Sequence, residues 1–270
     1  MKKNILFLLV FCLGWGVSHA QCGAPNTAFS EGELLKYDLY FNWSFIWIKV
    51  GTAQWDIRKA KYAGKQAYRT HLITSTNKRA DRFFVMRDTL TSYTDLNVTP
   101  LYYTKRAHEG SQFRVDEVKY EYSNGKCHLK MNYIRNHGAN NPSIASFSEC
   151  AYDMIAMMLR ARSYDPASWK VGTRQYFMMA DGKKCERQSI VYRGKENHKV
   201  ESTGTTYRCL VFSFMEKEGD KENEIVKFYI TDDANHLPVR LDMNLNFGTA
   251  KAFLTSSSGV RHPQTSILKK

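Results

Sequence analysis

The segment ITDDANHLPVRL, residues 230–241, places Asp232 and Asp233 four and three residues before His236. Two carboxylates and an imidazole could hold a metal ion or pair an acid with a base. No third ligand or base stands at a defined distance from them. Asp-Asp-Ala-Asn is also turn chemistry, because short polar side chains bond their own backbone and tolerate a left-handed conformation. Pro238 has no N–H to give a ladder, so it belongs at the start of a strand or on an edge. The expectation is a bend between two strands, with His236 in the loop.

Other chemistry-bearing residues come in two groups. Lys78, Arg79 and Arg82 precede Phe83 and Phe84. That mixture suits an anionic headgroup or a sugar acid, with rings entering lipid or stacking on a ligand; in the competing reading the rings join the core. Trp43 and Trp47 lie in the apolar run FNWSFIWI, residues 41–48. They could line a ligand cavity or fill a core. Trp43, Trp47, Lys78, Arg79 and Arg82 are therefore the candidate ligand-binding residues, and a lipid or an acidic glycan is the ligand class they suit. Met154, Met157, Met158, Met178 and Met179 pose the same choice between a soft lipid-accepting cavity and ordinary packing, and packing is the commoner role.

No catalytic residue, metal ligand or cofactor is expected. The chain has no GxSxG, HExxH, GxGxxG or phosphate-loop pattern. A hydrolase would need His71, His108, His128 or His236 brought beside a carboxylate by folding.

The N-terminus bounds the compartment. Lys2 and Lys3 precede an apolar stretch, and Ser18-His19-Ala20 puts small residues at the positions read by signal peptidase. Residues 1–20 read as a cleaved signal peptide. Gln21 precedes Cys22 where a lipid-attachment motif wants a small residue, so lipidation at Cys22 is not expected. Export to the periplasm or outer membrane follows. Of the 39 basic residues, removal of Lys2 and Lys3 leaves 37 against 26 acidic ones, a balance of +11. That balance favours anionic partners, and export makes nucleic acid the least suitable of them. Five cysteines remain, Cys22, Cys127, Cys150, Cys185 and Cys209, enough for two bridges at most, with the pairing open.

The elements that must position these groups are mostly strands. Turn signals recur at Ala63-Gly64, Asn124-Gly125, Asp181-Gly182, Gly194, Gly204, Gly219 and Gly248. Between them apolar residues alternate, as at Leu35, Tyr37, Leu39 and Phe41, or at Tyr68, Thr70 and Leu72. Residues 207–214 look buried on both faces. Strands at this spacing predict a mainly β fold: a single curved antiparallel meander, barrel-like or sandwich-like, over residues 21–262. One helix near 150–162 interrupts it, announced by a capping box at Ser146 and Glu149 and stopped before Pro166. Its apolar circumference predicts burial against the concave face. Residues 263–270 read as a flexible polar tail. A membrane-spanning barrel is disfavoured by the central helix and the Leu268-Lys269-Lys270 end.

Several stretches together resemble the exported bacterial family known as domain of unknown function 3108. They are Phe29–Tyr37, Lys49–Ala53, Arg87–Tyr93, Ala151–Ile155 with Leu159-Arg160, and Phe247–Ala250. The Gln-Cys start is similar to members from gut Bacteroidetes. The chain departs from the family at Tyr229, where a tryptophan is common. The resemblance implies an envelope protein with an antiparallel curved-sheet fold and carries over no catalytic residue. The reading that follows is a non-catalytic binding module for an amphipathic or anionic envelope ligand. An outer-membrane scaffold or interaction protein is the alternative.

Overall fold

A computed structural model describes residues 22–43, 46–219, 221–245 and 248–269; the side chains of Trp43 and Glu218 lie outside that description, as does the segment read as a signal peptide. The strands are β1 (Leu34–Trp43), β2 (Ile46–Tyr62), β3 (Lys65–Thr76), β4 (Met86–Thr94), β5 (Pro100–Glu109), β6 (Gln112–Ser123), β7 (Lys126–Arg135) and β8 (Asn141–Phe147). After the two-residue β9 (Ala151–Tyr152) comes the helix α1 (Met154–Ala161). The chain then returns to strands in β10 (Arg174–Ala180), β11 (Cys185–Lys199), β12 (Thr206–Glu218), β13 (Lys221–Thr231), β14 (Pro238–Leu245), β15 (Gly248–Ser258) and β16 (Ile267–Lys269).

All of them join one sheet, in the order β8-β7-β6-β5-β4-β3-β2-β1-β15-β14-β13-β12-β11-β10-β9, with β16 pairing β12. Neighbours are antiparallel except for β9, which runs parallel to β10. The meander follows from the turns. At Asn124-Gly125 both residues have positive φ (50° and 70°), the conformation that a tight two-residue hairpin demands. The sheet curls until its ends nearly meet. A Cβ on Gly182 would lie 2.7 Å from the Asp116 Cβ, so the β10–β11 connection packs directly on β6. Lys183 Nζ stands 5.9 Å from the Tyr133 ring across the same seam. The expected mainly β, barrel-like architecture is what forms.

The alternation places one face inside. Leu35, Tyr37 and Leu39 are buried, and Tyr68 and Leu72 pack on the same core. In β12, Leu210 on one face and Cys209 and Val211 on the other are all buried, as the two-sided pattern predicts. Outward positions such as Lys36, Arg58, Lys119 and Glu121 are exposed. A charged outer face is the reverse of a membrane-spanning barrel, whose outer face carries an apolar band. No helix among the described residues is long and apolar enough to cross a bilayer.

The helix is shorter than predicted and its cap is a different residue. Ser146 lies in β8, with its hydroxyl 2.8 Å from His128 Nδ1, and Glu149 faces Arg187 at 3.9 Å. Asp153 is the N-cap: its carboxylate accepts the Ala156 N–H (2.9 Å) and the Ser92 hydroxyl (3.0 Å). The capping box fails because Ala151 and Tyr152 pair with β10, so the helix starts after them. Ile155, Ala156, Met157 and Leu159 are buried against the concave face.

Burial pushes the Asp153 carboxyl up to about 7, against the hydrogen bonds that lower it. The folded state thus binds this proton more tightly than the unfolded chain. Its contribution is fully present below the unfolded value near 3.8 and is lost as pH rises through about 7. Asp153→Asn keeps the cap, since Asn and Asp cap equally well. It is expected to flatten the fall in melting temperature between about pH 4 and 7 by several degrees, which differential scanning fluorimetry across that range measures.

The last residues also depart from the sequence reading. Instead of fraying, Ile267–Lys269 pairs with β12, and Ser266 is buried with its N–H on Asp233 Oδ2 (3.2 Å). The polar composition that suggested a free tail serves hydrogen bonds to the 232–237 turn.

Candidate functional site

A cavity of about 310 Å³ lies between α1 and the inner face of the sheet. Its walls are almost entirely apolar. β1 contributes Leu35 and Leu39, β12 Leu210, Phe212 and Phe214, β13 Val226, Phe228 and Ile230, and β14 and β15 Leu241, Met243 and Ala252. The helix supplies Met154, Met157 and Met158, and β10 supplies Met179. Of the five methionines weighed from sequence, four line the cavity; Met178 packs in the core.

One end is closed by a polar lock. Arg162, just past α1, donates to both Glu33 oxygens (2.6 and 2.8 Å) and to the Asn235 carbonyl (3.0 and 3.2 Å). His236 Nδ1 lies 2.6 Å from the Arg162 carbonyl and donates to it. The Tyr37 hydroxyl donates to the Pro238 carbonyl (3.0 Å), and burial raises the phenol well above its ordinary range. The cavity then extends toward Leu39, Val226 and Met243, where β1, β13 and β14 approach their turns. Met154, at the start of the helix and away from the lock, lines it and is 39% exposed, so the cavity opens on that side.

The 230–241 stretch is therefore a bend with a packing role. Asp232 and Asp233 point to different partners. Asp232 accepts from Lys195 and Arg208 (both 2.9 Å); partial burial works against its charge, yet those hydrogen bonds hold its carboxyl below the ordinary range. Asp233 accepts from the Thr231 hydroxyl and the Asn235 and Ser266 N–H groups. His236 takes positive φ (46°) and turns toward the helix instead. No cluster of three metal-ligating side chains occurs among the described residues. Pro238 opens β14, as its missing N–H requires.

Beside the apolar cavity sits a charged compartment that sequence reasoning missed. Asp88, Lys105, Arg114 and Asp116 share the inner face, because Asp88 lies across from Thr74, a cavity-lining residue, and Lys105 lies across from Asp116. Lys105 Nζ is 3.0 Å from Glu109 and 3.7 Å from Asp88. Arg114 Nε is 3.0 Å from Asp116. Burial, then the neighbouring Glu109, pushes Asp88 up to about 7; burial pushes Asp116 up to about 6 against the pull of Arg114. The available signal was the alternation itself: Asp88 shares parity with Leu90, and Lys105 with Tyr103, both buried.

Among the described histidines only His236 lines the cavity, and its ring nitrogen bonds the Arg162 carbonyl rather than a carboxylate. His71 Nδ1 is 3.9 Å from Asp56, on the face opposite Trp55 and Ile57, and burial lowers its pKa. His128 meets Ser146 at the β7–β8 ladder, and His108 lines a shallow cleft with Phe113 and His137. Tyr229, the position at which the family resemblance is broken, is buried, with the Arg240 guanidinium carbon 4.6 Å from its ring centre.

Four of the five ligand candidates, Trp47, Lys78, Arg79 and Arg82, fall at one rim, away from the polar lock. Trp47 is 37% exposed with Lys251 Nζ 4.1 Å over its ring, so it does not fill the core. Lys78, Arg79 and Arg82 are exposed on the connection 77–85, which docks on β2 through Asn77: its N–H reaches the Val50 carbonyl (2.8 Å) and its amide the Lys49 carbonyl (3.0 Å). Phe83 and Phe84 are exposed too, contrary to the core reading: Asp81 is held by Arg87 (2.6 Å) and Thr76 (2.5 Å), which fixes a short 3₁₀ turn at Ala80–Arg82 and turns the rings outward. The structure brings Trp47 and the cationic loop together; the Trp43 side chain lies outside the description.

Among the described cysteines one bridge forms, Cys22–Cys150, and Cys127, Cys185 and Cys209 are free thiols.

A family model described as "Protein of unknown function (DUF3108)" matches residues 36–255. No curated protein matches the chain. Among solved structures, a beta-barrel-like protein of domain of unknown function DUF1849 from Brucella abortus is similar, with a TM-score of 0.55 and 10% identity over 84% of this chain and 96% of that one. At that identity the likeness speaks to the fold alone.

Proposed function

This chain belongs to the DUF3108 family of proteins of unknown function, and we propose that it is a non-catalytic envelope module that binds an amphipathic ligand, its apolar chain in the barrel cavity and its polar head toward the open side. The observation that carries this reading is the cavity: about 310 Å³ with almost no polar wall. That is the size of a small ligand pocket and the share of about ten water molecules, which would find few hydrogen-bond partners there. An alkyl chain of about ten carbons, at about 0.8 kcal/mol per buried methylene, gains roughly 8 kcal/mol before association costs. A micromolar or weaker dissociation constant follows. Apolar walls favour a lipid over an acidic glycan. The signal-peptide pattern and the Cys22–Cys150 bridge support export to an oxidising envelope compartment.

The test uses an alkyl probe with a fluorescent head, dansyl-undecanoic acid. The wild-type protein is expected to give saturable fluorescence displaced by unlabelled decanoate. Ala252→Trp, which places an indole in the cavity, is expected to weaken the probe at least tenfold without loss of the melting transition. Absence of saturable uptake by the folded wild-type protein removes the reading.

A further inference from the structure

The rim described above carries more apolar surface than a ligand mouth requires. Ile46 (67% exposed), Trp47 and Ile48 project at the β1–β2 tip, and Leu245 is exposed on the adjoining β14–β15 tip. These tips are neighbours, since β1 pairs with both β2 and β15. Phe83 (77% exposed) and Phe84 flank them on the connection 77–85. By strand alternation Ile46 and Ile48 occupy one face of the β1–β2 tip and Trp47 the other, so the tip is apolar on both sides. The other exposed large apolar residues among those described, such as Leu96, Ile144 and Val171, are scattered elsewhere in the chain. A contiguous apolar patch with aromatic rings marks an interaction surface.

The surrounding charge selects the partner. Lys78, Arg79 and Arg82 stand against Asp81 alone on the connection, and Asp81 is already engaged by Arg87. Lys251 covers the Trp47 ring. Apolar side chains that insert, aromatic rings at the boundary and a cationic collar match an anionic bilayer surface. A second copy of this chain fits less well, because a two-fold contact would set the same cations against one another. We infer that this rim docks on the surface of an anionic lipid bilayer, with Ile46, Trp47, Ile48, Leu245 and the Phe83-Phe84 corner entering the headgroup layer and Lys78, Arg79 and Arg82 meeting lipid phosphates. The inference stands on the rim and does not need the cavity to hold a ligand.

Vesicle co-sedimentation tests it, with vesicles of phosphatidylcholine alone and with about one third phosphatidylglycerol. Wild-type protein is expected to sediment with the anionic vesicles at low salt and to be released as salt rises. Charge reversal at Lys78, Arg79 and Arg82 to Glu is expected to lower partitioning roughly a hundredfold. The pair Trp47→Ser and Phe83→Ser, both exposed and so compatible with folding, is expected to lower it at least tenfold. Equal binding to both vesicle types, no binding to anionic vesicles at low salt, unchanged binding by either variant set, or a dimer abolished by Trp47→Ser would each overturn the inference. Probe uptake without vesicle binding removes this inference and keeps the cavity reading; vesicle binding without probe uptake does the reverse.

Discussion

Arg162→Ala is expected to destabilise the protein by about 3–5 kcal/mol, the cost of leaving a buried charge without its partner. Glu33 is fully buried, and Arg162 nearly so. The guanidinium spans Glu33 on the strand side and the Asn235 carbonyl of the 232–237 turn, and its carbon lies 5.7 Å from the centre of the Phe29 ring. Its own carbonyl takes the His236 N–H. One residue thus fastens the end of α1, the N-terminal segment and the β13–β14 bend. At about 2–4 °C per kcal/mol for a chain of this size, the melting temperature should drop by roughly 10 °C. Glu33→Gln is expected to act in the same direction. The double replacement Glu33→Leu with Arg162→Met should cost less than either single change, because neither leaves a lone charge inside. Thermal unfolding of the wild type, Glu33→Leu, Arg162→Met and the double variant measures the coupling, and additive losses would show that the pair is not the lock described.

Removing the Cys22–Cys150 bridge is expected to cost about 2–5 kcal/mol. The bridge joins residues 128 apart in sequence, so it restrains a long loop in the unfolded chain. It also ties the N-terminal segment to the start of the helical insertion, where the Tyr152 hydroxyl donates to the Cys22 carbonyl (2.9 Å). The double variant Cys22→Ser and Cys150→Ser should melt about 5–15 °C lower than the oxidised protein. Adding a reductant to the wild type should reproduce that loss, and adding it to the variant should change nothing. A reductant effect that persists in the variant would implicate Cys127, Cys185 or Cys209 instead.

Much of the architecture was legible because its signals are local. A two-residue turn such as Asn124-Gly125 declares itself through the φ > 0 it requires, and an alternation such as Leu35, Tyr37, Leu39 declares which side is hidden. The same logic read Asp232, Asp233 and His236 as a bend. The capping box misled because it is also local: Ser146 and Glu149 have the right spacing, but β-pairing of residues 151–152 competes for the backbone and Asp153 caps instead. The exposed position of Phe83 and Phe84 could not be read, since a hydrophobic ring carries no mark of whether a fold has room for it. The charged compartment was only partly legible. Alternation gave Asp88 and Lys105 the parity of buried neighbours, but only the curl of the sheet brings them together with Asp116 and Arg114 in one compartment.

By itself, then, the chain's order of residues determined the strand-and-turn series, the single helix and the sign of its charge, because each of these rests on neighbours a few positions apart. Tertiary structure alone decided that the sheet curls far enough to enclose an apolar space, that Glu33 meets Arg162 across 129 residues, that Cys22 pairs with Cys150, and that Trp47 and the 77–85 cations share a rim. Those outcomes depend on how twist accumulates over fifteen strands and where the helix comes to rest, quantities that no short window of sequence contains.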